Sequence, residues 1–202
     1  RTMLRRATEL LAEAGWKQDG RFLVDENGSR LTVEFLLRSQ ALERVTSPYV
    51  ESLRRIGIDA SIRLIDAAQY QARTNDFDFD VTMFALSLTA TPLDGLQQIF
   101  SIRSADTPGS YNFAGIKDAV VDAFVERVPE VETREELVAL TRSIDRILRA
   151  NHYWVPNWYL PEHRVAHWDL FSWPDIKPDF AFTPESTWWY DADKAAAAGI
   201  AG

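Results

Sequence analysis

Four potential metal ligands stand close together after Pro161. Two histidines four residues apart bind one metal ion when they share a helix face, but the residues around this pair indicate an extended segment. In a strand, residues four apart lie about 13 Å from each other at about 3.3 Å per residue, too far for one ion. We therefore expect histidines hydrogen-bonded in an aromatic segment and no metal, with a metal-dependent hydrolase as an alternative. The four side chains are Glu162, His163, His167 and Asp169.

A second group of acids consists of Asp76, Asp78 and Asp80. Alternation in a strand would put the three carboxylates on one side, as in a calcium site or an acid–base pair. The other interpretation places Asp76 and Asp78 in a solvated turn and bonds Asp80 to backbone at the start of a strand. Gly109 and Ser110 do not belong to a G-x-S-x-G turn, and the sequence has no glycine-rich phosphate loop. We therefore expect neither an enzyme nor a cofactor.

Composition and charge exclude several classes of protein. The chain has 202 residues, of which 46% are hydrophobic and 26% are charged, as in ordinary globular proteins. Its net charge of −8 disfavours binding to nucleic acid or to an anionic membrane, since both need a positive surface. The absence of cysteine excludes disulfides, thiolate metal sites and cysteine nucleophiles. No stretch of the sequence approaches the roughly 20 apolar residues of a membrane-spanning helix.

Periodicity predicts an α/β domain. Residues 31–37 and 58–66 alternate between apolar and polar side chains, as strands do, and residues 42–56 between them have helical spacing. This order predicts a βαβ unit with two parallel strands. Residues 79–86 are apolar on both faces and are predicted to form a central strand that is covered on both sides.

Three further helices are predicted after the βαβ unit. A short helix capped by Asp66 follows the second strand. A later helix spans residues 117–128, and another spans residues 133–151 behind a capping box formed by Thr133 and Glu136. The side chains expected to face the core are Val120, Ala123, Phe124 and Val128 in the first of these two and Leu137, Leu140, Ile144, Ile147 and Leu148 in the second.

The segment after the predicted central strand is small and rich in hydroxyl groups. In open α/β sheets, ligands bind outside the carboxyl ends of the strands, and serine or threonine can hydrogen-bond a peptide backbone without adding charge. We therefore predict ligand contacts at Ser87, Leu88 and Thr89. A polar turn that leads into a helix near Asp94 is the structural alternative.

The chain after Ala150 has a different composition. It holds six of the seven tryptophans and five of the nine prolines, so it cannot form a long helix and must bury many rings. One interpretation is a strap that crosses the domain and places its ends in grooves. The other is a surface that meets a ligand, a second domain or a partner, which gives a protein-interaction module as an alternative function.

Six stretches of the chain, in order, resemble the C-terminal part of the family 5 extracellular solute-binding proteins, the receptors of peptide ABC importers. The likeness is closest to the YejA-like branch of that family and covers nearly the whole chain. Each stretch has low specificity alone, and the shared order carries the resemblance. The stretches are ATELLAEAGW, LTVEFLL, YVESLRRIGIDASIRLIDAAQYQAR, FDFDVTMFALS, GSYNFAGIKDAVVDAFV, and HRVAHWDLFSWPDIKPDF with TWWYDADKA.

The resemblance implies a fold and a function. The fold would be one lobe of a type II periplasmic-binding protein, with a mixed, mostly parallel sheet, flanking helices and an aromatic-rich extended tail. Residues 1–162 would form the ligand-binding lobe, and residues 163–202 the crossover and tail that pack on an N-terminal lobe outside this fragment. The protein would be a non-catalytic periplasmic receptor that delivers oligopeptides or modified peptides to an ABC permease, its signal peptide also lying outside the fragment.

The resemblance also bears on the binding site. In peptide receptors of this family, the segment after the buried strand carries an aspartate that pairs with the ligand's amino terminus, whereas residues 85–92 contain no acid. A blocked or internally held terminus, or a long modified peptide, is therefore implied. The loop before the late helix lines the cleft in the family, which implies ring stacking by Tyr111 and Phe113 and backbone hydrogen bonds from Asn112. A turn or helix cap is the other role open to Asn112.

Overall fold

The first part of the chain forms a helix, a hairpin and a parallel sheet. The computed structural model describes residues 2–86, 95–176 and 182–199. Up to residue 86 its elements are α1 (Thr2–Glu13), β1 (Lys17–Asp19), β2 (Phe22–Val24), β3 (Thr32–Leu37), α2 (Gln40–Arg55), β4 (Asp59–Leu64), α3 (Ala67–Asn75) and β5 (Val81–Thr82).

The parallel sheet has the strand order β4-β3-β5. Strand β3 pairs with β4 over its whole length, from Thr32 opposite Asp59 to Leu37 opposite Leu64. The helix between these two strands is α2, so the predicted βαβ unit is confirmed. The predicted cap of α3 is also confirmed, because the Asp66 carboxylate accepts backbone N–H groups from the first turn.

The prediction that residues 79–86 form the central strand is wrong. Among the strands that the structure describes, β3 is central, and its last three residues, Phe35 to Leu37, are at most 3% exposed. Strand β5 is only two residues long and pairs with one side of β3. Beyond β5, Phe84 and Leu86 are 41% and 37% exposed. The apolar character of this segment therefore reflects exposed side chains as well as buried ones.

A hydrophobic core joins the hairpin, the sheet and α2. Its buried members are Leu23 of β2, Phe35 of β3 and Val50 of α2, with Ile58 just before β4 and Ala60 in it. Burial of such side chains contributes about 1.5–3 kcal/mol each for the larger ones. Helix α2 is capped by Ser39, which follows β3 closely in the chain. The helix therefore runs back along the sheet and covers it with its apolar face.

The second part of the chain is mostly helical and then irregular. The buried side chains Leu137, Leu140 and Ile144 confirm the predicted stripe of the long helix, and Thr133 accepts the Glu136 N–H as its cap. The elements here are α4 (Gly95–Phe100), α5 (Ile102–Ala105), α6 (Ala119–Arg127), a 3-10 helix (Val128–Glu130), α7 (Arg134–Ala150), β6 (Phe171–Ser172), α8 (Pro184–Thr187), β7 (Trp189–Tyr190) and α9 (Ala192–Ala197).

The predicted inner face of α6 is displaced by one residue. Val121 and Val125 are fully buried, while Val120 is 54% exposed. Val128, in the 3-10 helix, is buried as expected. Apolar residues occupy two adjacent faces of this helix, and so periodicity alone does not decide which face meets the core.

The chain divides into two compact units. The first comprises Arg1–Leu86 and Leu96–Glu126, and the second comprises Arg127–Gly202 with Ser87–Gly95. The expected boundary after residue 162 falls within the second unit and stays a prediction about a longer protein. None of the helices in the three described ranges has the length and apolar character needed to cross a membrane.

Candidate functional site

Four aromatic rings of the first unit form one connected group, which we call the aromatic panel. The ring of Phe84 stacks on Tyr111, with centroids 5.8 Å apart and planes 25° apart. Phe113 meets Phe84 edge-on at 4.8 Å and Tyr111 edge-on at 6.2 Å. Phe79 contacts Phe113 from its other side at 5.9 Å, again edge-on. Such pairs add about 0.5–1.5 kcal/mol each beyond their burial.

The panel has an inner and an outer pair of rings. Phe79 and Phe113 are half-buried, whereas Phe84 and Tyr111 are 41% and 51% exposed. The inner rings therefore support two outer rings that present apolar area to solvent. Contiguous exposed aromatic surface on a rigid base is typical of a binding surface.

A buried asparagine holds the loop that carries two of these rings. Asn112 is 1% exposed, and its Nδ2 donates to Ser101 O, Ser104 Oγ and Ile116 O at 3.0–3.2 Å. Its Oδ1 accepts the Ile116 N–H at 2.8 Å. The amide thus ties the loop to α5 and to Ile116, which is the turn-holding role left open by the sequence, and it fixes the neighbouring Tyr111 and Phe113.

Two further contacts pin the start of this loop. The Ser110 hydroxyl donates to Ser104 O at 2.6 Å, and the Gly109 N–H donates to Asn75 O at the end of α3 at 2.8 Å. Because both anchors are backbone carbonyls of helical segments, the loop is held from two sides. The rings of Tyr111 and Phe113 are therefore carried on a loop that is anchored to two helices.

A polar group lies where β5 ends and the panel begins. The Tyr70 hydroxyl lies 2.8 Å from Thr82 Oγ1 and donates to Met83 O at 3.2 Å. Thr82 in turn donates to Leu36 O of β3 at 3.0 Å. The guanidinium of Arg38, which directly follows β3, lies over the Tyr70 ring at 5.6 Å from its centroid. This is the carboxyl edge of the sheet, where ligands of open α/β folds bind.

The structure brings together only part of the predicted site. Tyr111 and Phe113 are in the panel, Asn112 lies beneath them, and Ser87, Leu88 and Thr89 lie outside the described residues. Phe79 and Phe84 belong to the panel although the sequence pattern predicts both to lie in a buried strand, and no pattern in the sequence singles out Arg38 or Tyr70. The signal for Phe84 was its place near the carboxyl end of that strand, where a large apolar side chain faces the ligand side of the sheet.

Two of the three acids near β5 have structural partners, and the third, Asp76, is exposed at the end of α3. Asp78 accepts from Arg73 Nε at 2.8 Å, and Asp80 accepts the Glu34 N–H of β3 at 2.9 Å. The hydrogen bond to Asp78, followed by the contact with Glu34, raises the pKa of the Arg73 guanidinium above its usual value. The interpretation in which Asp80 bonds to backbone is therefore confirmed, although the backbone is that of the neighbouring strand.

The four potential metal ligands after Pro161 are engaged elsewhere. His163 stacks on Phe182 at 4.6 Å, and His167 packs edge-on against Trp188 at 4.9 Å. Glu162 pairs with Arg164 at 2.7 Å, and Asp169 pairs with Lys194 at 3.2 Å. Across the part of the chain that is described, no three histidine or acidic side chains are grouped as a metal ion requires. Both histidines are exposed, and each contacts an aromatic ring.

The aromatic tail has a packed part and an exposed part. Strands β6 and β7 pair antiparallel, and the Ser172 hydroxyl donates to Asp191 Oδ2 at 2.6 Å. That hydrogen bond, followed by one from the Lys194 N–H, lowers the pKa of Asp191. By contrast, Tyr159 and Trp168 are 84% and 76% exposed. Both features occur within the second unit, and the strap and surface interpretations of the tail stay predictions.

The chain matches a known protein family and is similar to several of its relatives. Residues 2–106 match the family described as bacterial extracellular solute-binding proteins, family 5 Middle. The chain is 40% identical over 190 residues to the "Probable peptide-binding protein YejA" of Agrobacterium fabrum and 34% identical over 191 residues to the "Peptidoglycan-binding protein YepA" of the same organism. Each alignment covers 94% of this chain and 31% of the relative, so the chain spans about a third of their length.

A solved structure has the same fold over most of the chain. The oligopeptide-binding protein AppA from Bacillus subtilis, in complex with a nonapeptide, superposes with a TM-score of 0.64 at 21% sequence identity. The match covers 74% of this chain and 30% of AppA. The parallel sheet and its helices are therefore part of a periplasmic-binding-protein fold, as predicted.

Proposed function

Because this chain belongs to the bacterial extracellular solute-binding proteins, family 5, we propose that it is part of a receptor for peptides or modified peptides. The receptor does no covalent chemistry. It binds its ligand outside the cytoplasmic membrane, in the periplasm, and delivers it to the permease of an ABC importer. The part of the protein beyond this chain supplies the opposite wall of the binding cleft, because the relatives are about three times as long.

The observation that carries this proposal is the aromatic panel at the carboxyl edge of the sheet. Its outer rings, Phe84 and Tyr111, offer a flat apolar surface that side chains of many kinds can contact. The loop beneath is anchored to α5, since Ser110 and Asn112 use their polar atoms in hydrogen bonds within the protein. Such a surface favours a ligand with varied side chains over a ligand that needs one fixed charge pattern.

The names of several similar proteins support a ligand that contains a peptide. One relative is named for peptides, another for peptidoglycan, and the AppA structure holds a nonapeptide. Peptidoglycan carries short peptide stems, so a peptide or modified peptide is the kind of ligand that fits all three names. Ser87, Leu88 and Thr89 follow the panel in sequence, and we propose that they bond the ligand backbone, while Asn112 acts indirectly by holding Tyr111 and Phe113 in place.

The proposal is tested with the full-length protein that contains this chain. Native mass spectrometry of the protein as purified identifies any ligand that it carries. Isothermal titration calorimetry then measures binding of the pentapeptide Ala-Phe-Ala-Phe-Ala, whose rings suit the panel. We expect Tyr111→Ala to weaken this binding at least tenfold, because loss of one ring contact removes about 1.5 kcal/mol or more of binding free energy.

The matched control is Tyr159→Ala in the second unit, which removes an exposed tyrosine ring that is not part of the panel. We expect this variant to bind the pentapeptide as the unmodified protein does. The alternative function is a protein-interaction module that uses the aromatic tail. For such a module, Tyr159→Ala releases a protein partner, and peptide binding plays no part in its function. Absence of both a carried peptide and pentapeptide binding would contradict the receptor proposal.

A further inference from the structure

Helix α3 contacts both segments that carry the outer rings of the aromatic panel. One of these segments leaves β5, and the other is the loop before α6. In its first half, α3 reaches the β5 segment through Tyr70, whose hydroxyl donates to Met83 O at 3.2 Å, one residue before the first outer ring. At its last residue, Asn75, the helix reaches the loop, because its carbonyl accepts the Gly109 N–H at 2.8 Å.

The Tyr70 hydroxyl joins α3 to the most buried part of the sheet. Thr82 Oγ1 donates its only proton to Leu36 O at 3.0 Å. The proton of the Tyr70 hydroxyl is therefore shared between the two remaining acceptors, Thr82 Oγ1 at 2.8 Å and Met83 O at 3.2 Å. Leu36 lies in β3 and is 0% exposed. The half-buried Tyr70 thus holds the end of β5 through a chain of hydrogen bonds that leads to the core.

The other end of α3 holds the loop for a reason that lies in helix geometry. The last four carbonyls of a helix have no partner inside it, so the Asn75 carbonyl is available to the Gly109 N–H. The Asn75 side chain is itself fixed, because Gln71 Nε2 donates to its Oδ1 at 2.7 Å. Tyr70 and Asn75 lie five residues apart, which is about 7.5 Å along a helix axis. Helix α3 is therefore a spacer between the two segments.

We propose that Tyr70 is a positioning residue of the receptor, whose hydroxyl holds the exit of β5 so that Phe84 stacks on Tyr111. The inference rests on the proposed receptor function and deepens it by assigning the element that sets the spacing of the two rings against the ligand. Aromatic pairs interact favourably at centroid distances of about 4.5–7 Å, and these two rings are 5.8 Å apart. Release of the β5 exit lets the pair separate, and the ligand then loses a surface made of two rings.

A double-mutant cycle tests the assignment, with calorimetry of the full-length protein and the pentapeptide Ala-Phe-Ala-Phe-Ala. Tyr70→Phe removes only the hydroxyl and keeps the ring, including its contact with Arg38. We expect this variant to weaken binding about three- to tenfold, the factor that one net hydrogen bond represents. Phe84→Ala should weaken binding about tenfold. Because Tyr70 acts through Phe84, adding Tyr70→Phe to Phe84→Ala should change the affinity by less than about twofold.

The matched control is Thr74→Val, which removes a hydroxyl of the same helix that donates to Tyr70 O and Gln71 O within α3. We expect this variant to bind the peptide normally, and urea unfolding checks that each variant is folded. Unchanged binding by Tyr70→Phe or by Phe84→Ala would overturn the positioning role and leave the receptor function standing. Equal weakening by Tyr70→Phe with and without the Phe84 ring, or by Thr74→Val, would do the same. If the unmodified protein binds no peptide, the receptor proposal fails and the positioning role with it.

Discussion

The ring of Phe84 lies nearly parallel to the ring of Tyr111, at a centroid distance of 5.8 Å. The two residues come from separate segments, one leaving the sheet and the other in the loop before α6. Each ring is about half exposed, and both lie nearly perpendicular to the ring of Phe113. The stacked pair therefore links the exit of β5 to the loop and makes the two segments a single surface.

Phe113 should matter more to stability than Tyr111. We expect Phe113→Ala to lower the free energy of unfolding by about 2–3 kcal/mol, because it loses three ring contacts and half-buried area. Tyr111→Ala, which removes an outer and half-exposed ring, should cost below about 1 kcal/mol. Urea unfolding of the full-length protein, followed by fluorescence, measures both. A larger loss for Tyr111→Ala would contradict the inner and outer arrangement of the panel.

Asn112 should be among the least replaceable polar residues of the first unit. We expect Asn112→Ala to cost about 3 kcal/mol, because it leaves the Ile116 N–H and the carbonyls of Ser101 and Ile116 without their buried partner. The matched control is Asn151→Ala at the end of α7, where one exposed hydrogen bond is lost and the cost should stay below about 1 kcal/mol. Equal losses of unfolding free energy for the two variants would show that the buried hydrogen bonds of Asn112 add no stability beyond that of one exposed hydrogen bond.

Local patterns in the sequence predicted the elements well. Alternation over β3 and β4 and the helical spacing of α2 between them are local properties, and they gave the βαβ unit and its parallel strands. The order of strands is different, because it depends on which segments pair across the sheet. Nothing within residues 79–86 shows that β5 pairs with β3 and ends the row of described strands. For the same reason the inner face of α6 was displaced by one residue.

The site could be predicted only in part. Tyr111 and Phe113 followed from the family resemblance, which placed their loop beside a cleft. Phe84 reaches that loop through the tertiary fold, and its hydrophobicity alone predicted burial. The buried state of Asn112 also depends on Ser101, Ser104 and Ile116, which lie on different segments. Contacts between separate segments are what a single sequence leaves undetermined.

Gly57 should tolerate a methyl group less well than Gly28. Both residues have positive φ, 93° and 80°, so alanine strains the backbone by about 1 kcal/mol at either position. At Gly57 a Cβ would also meet Leu23 Cγ at 3.0 Å and Gln18 Oε1 at 3.2 Å, while nothing lies within 4 Å at Gly28. We expect Gly57→Ala to cost about 1–2 kcal/mol more than Gly28→Ala in urea unfolding. Equal costs would mean that Leu23 and Gln18 of the β1–β2 hairpin move aside without loss of stability.

Asp191 should make the β6–β7 segment sensitive to acid. The Ser172 hydroxyl and the Lys194 N–H bond its carboxylate and lower its pKa below the ordinary value of 3.8. A lowered pKa in the folded state stabilises that state above the ordinary value, and this stabilisation is lost as the pH falls through the folded pKa. We therefore expect the segment to loosen below about pH 4, which the fluorescence of Trp188 and Trp189 reports in an acid titration.

Two variants separate Asp191 from the other acids of the chain. Asp191→Asn removes the titrating group, so its contribution to the acid-dependent change should disappear. Ser172→Ala removes the largest cause of the lowered pKa, so the folded pKa moves towards that of the unfolded chain and the acid-dependent loss becomes smaller. An acid titration of Ser172→Ala with a larger loss than that of the unmodified protein would show that the hydroxyl does not stabilise the carboxylate.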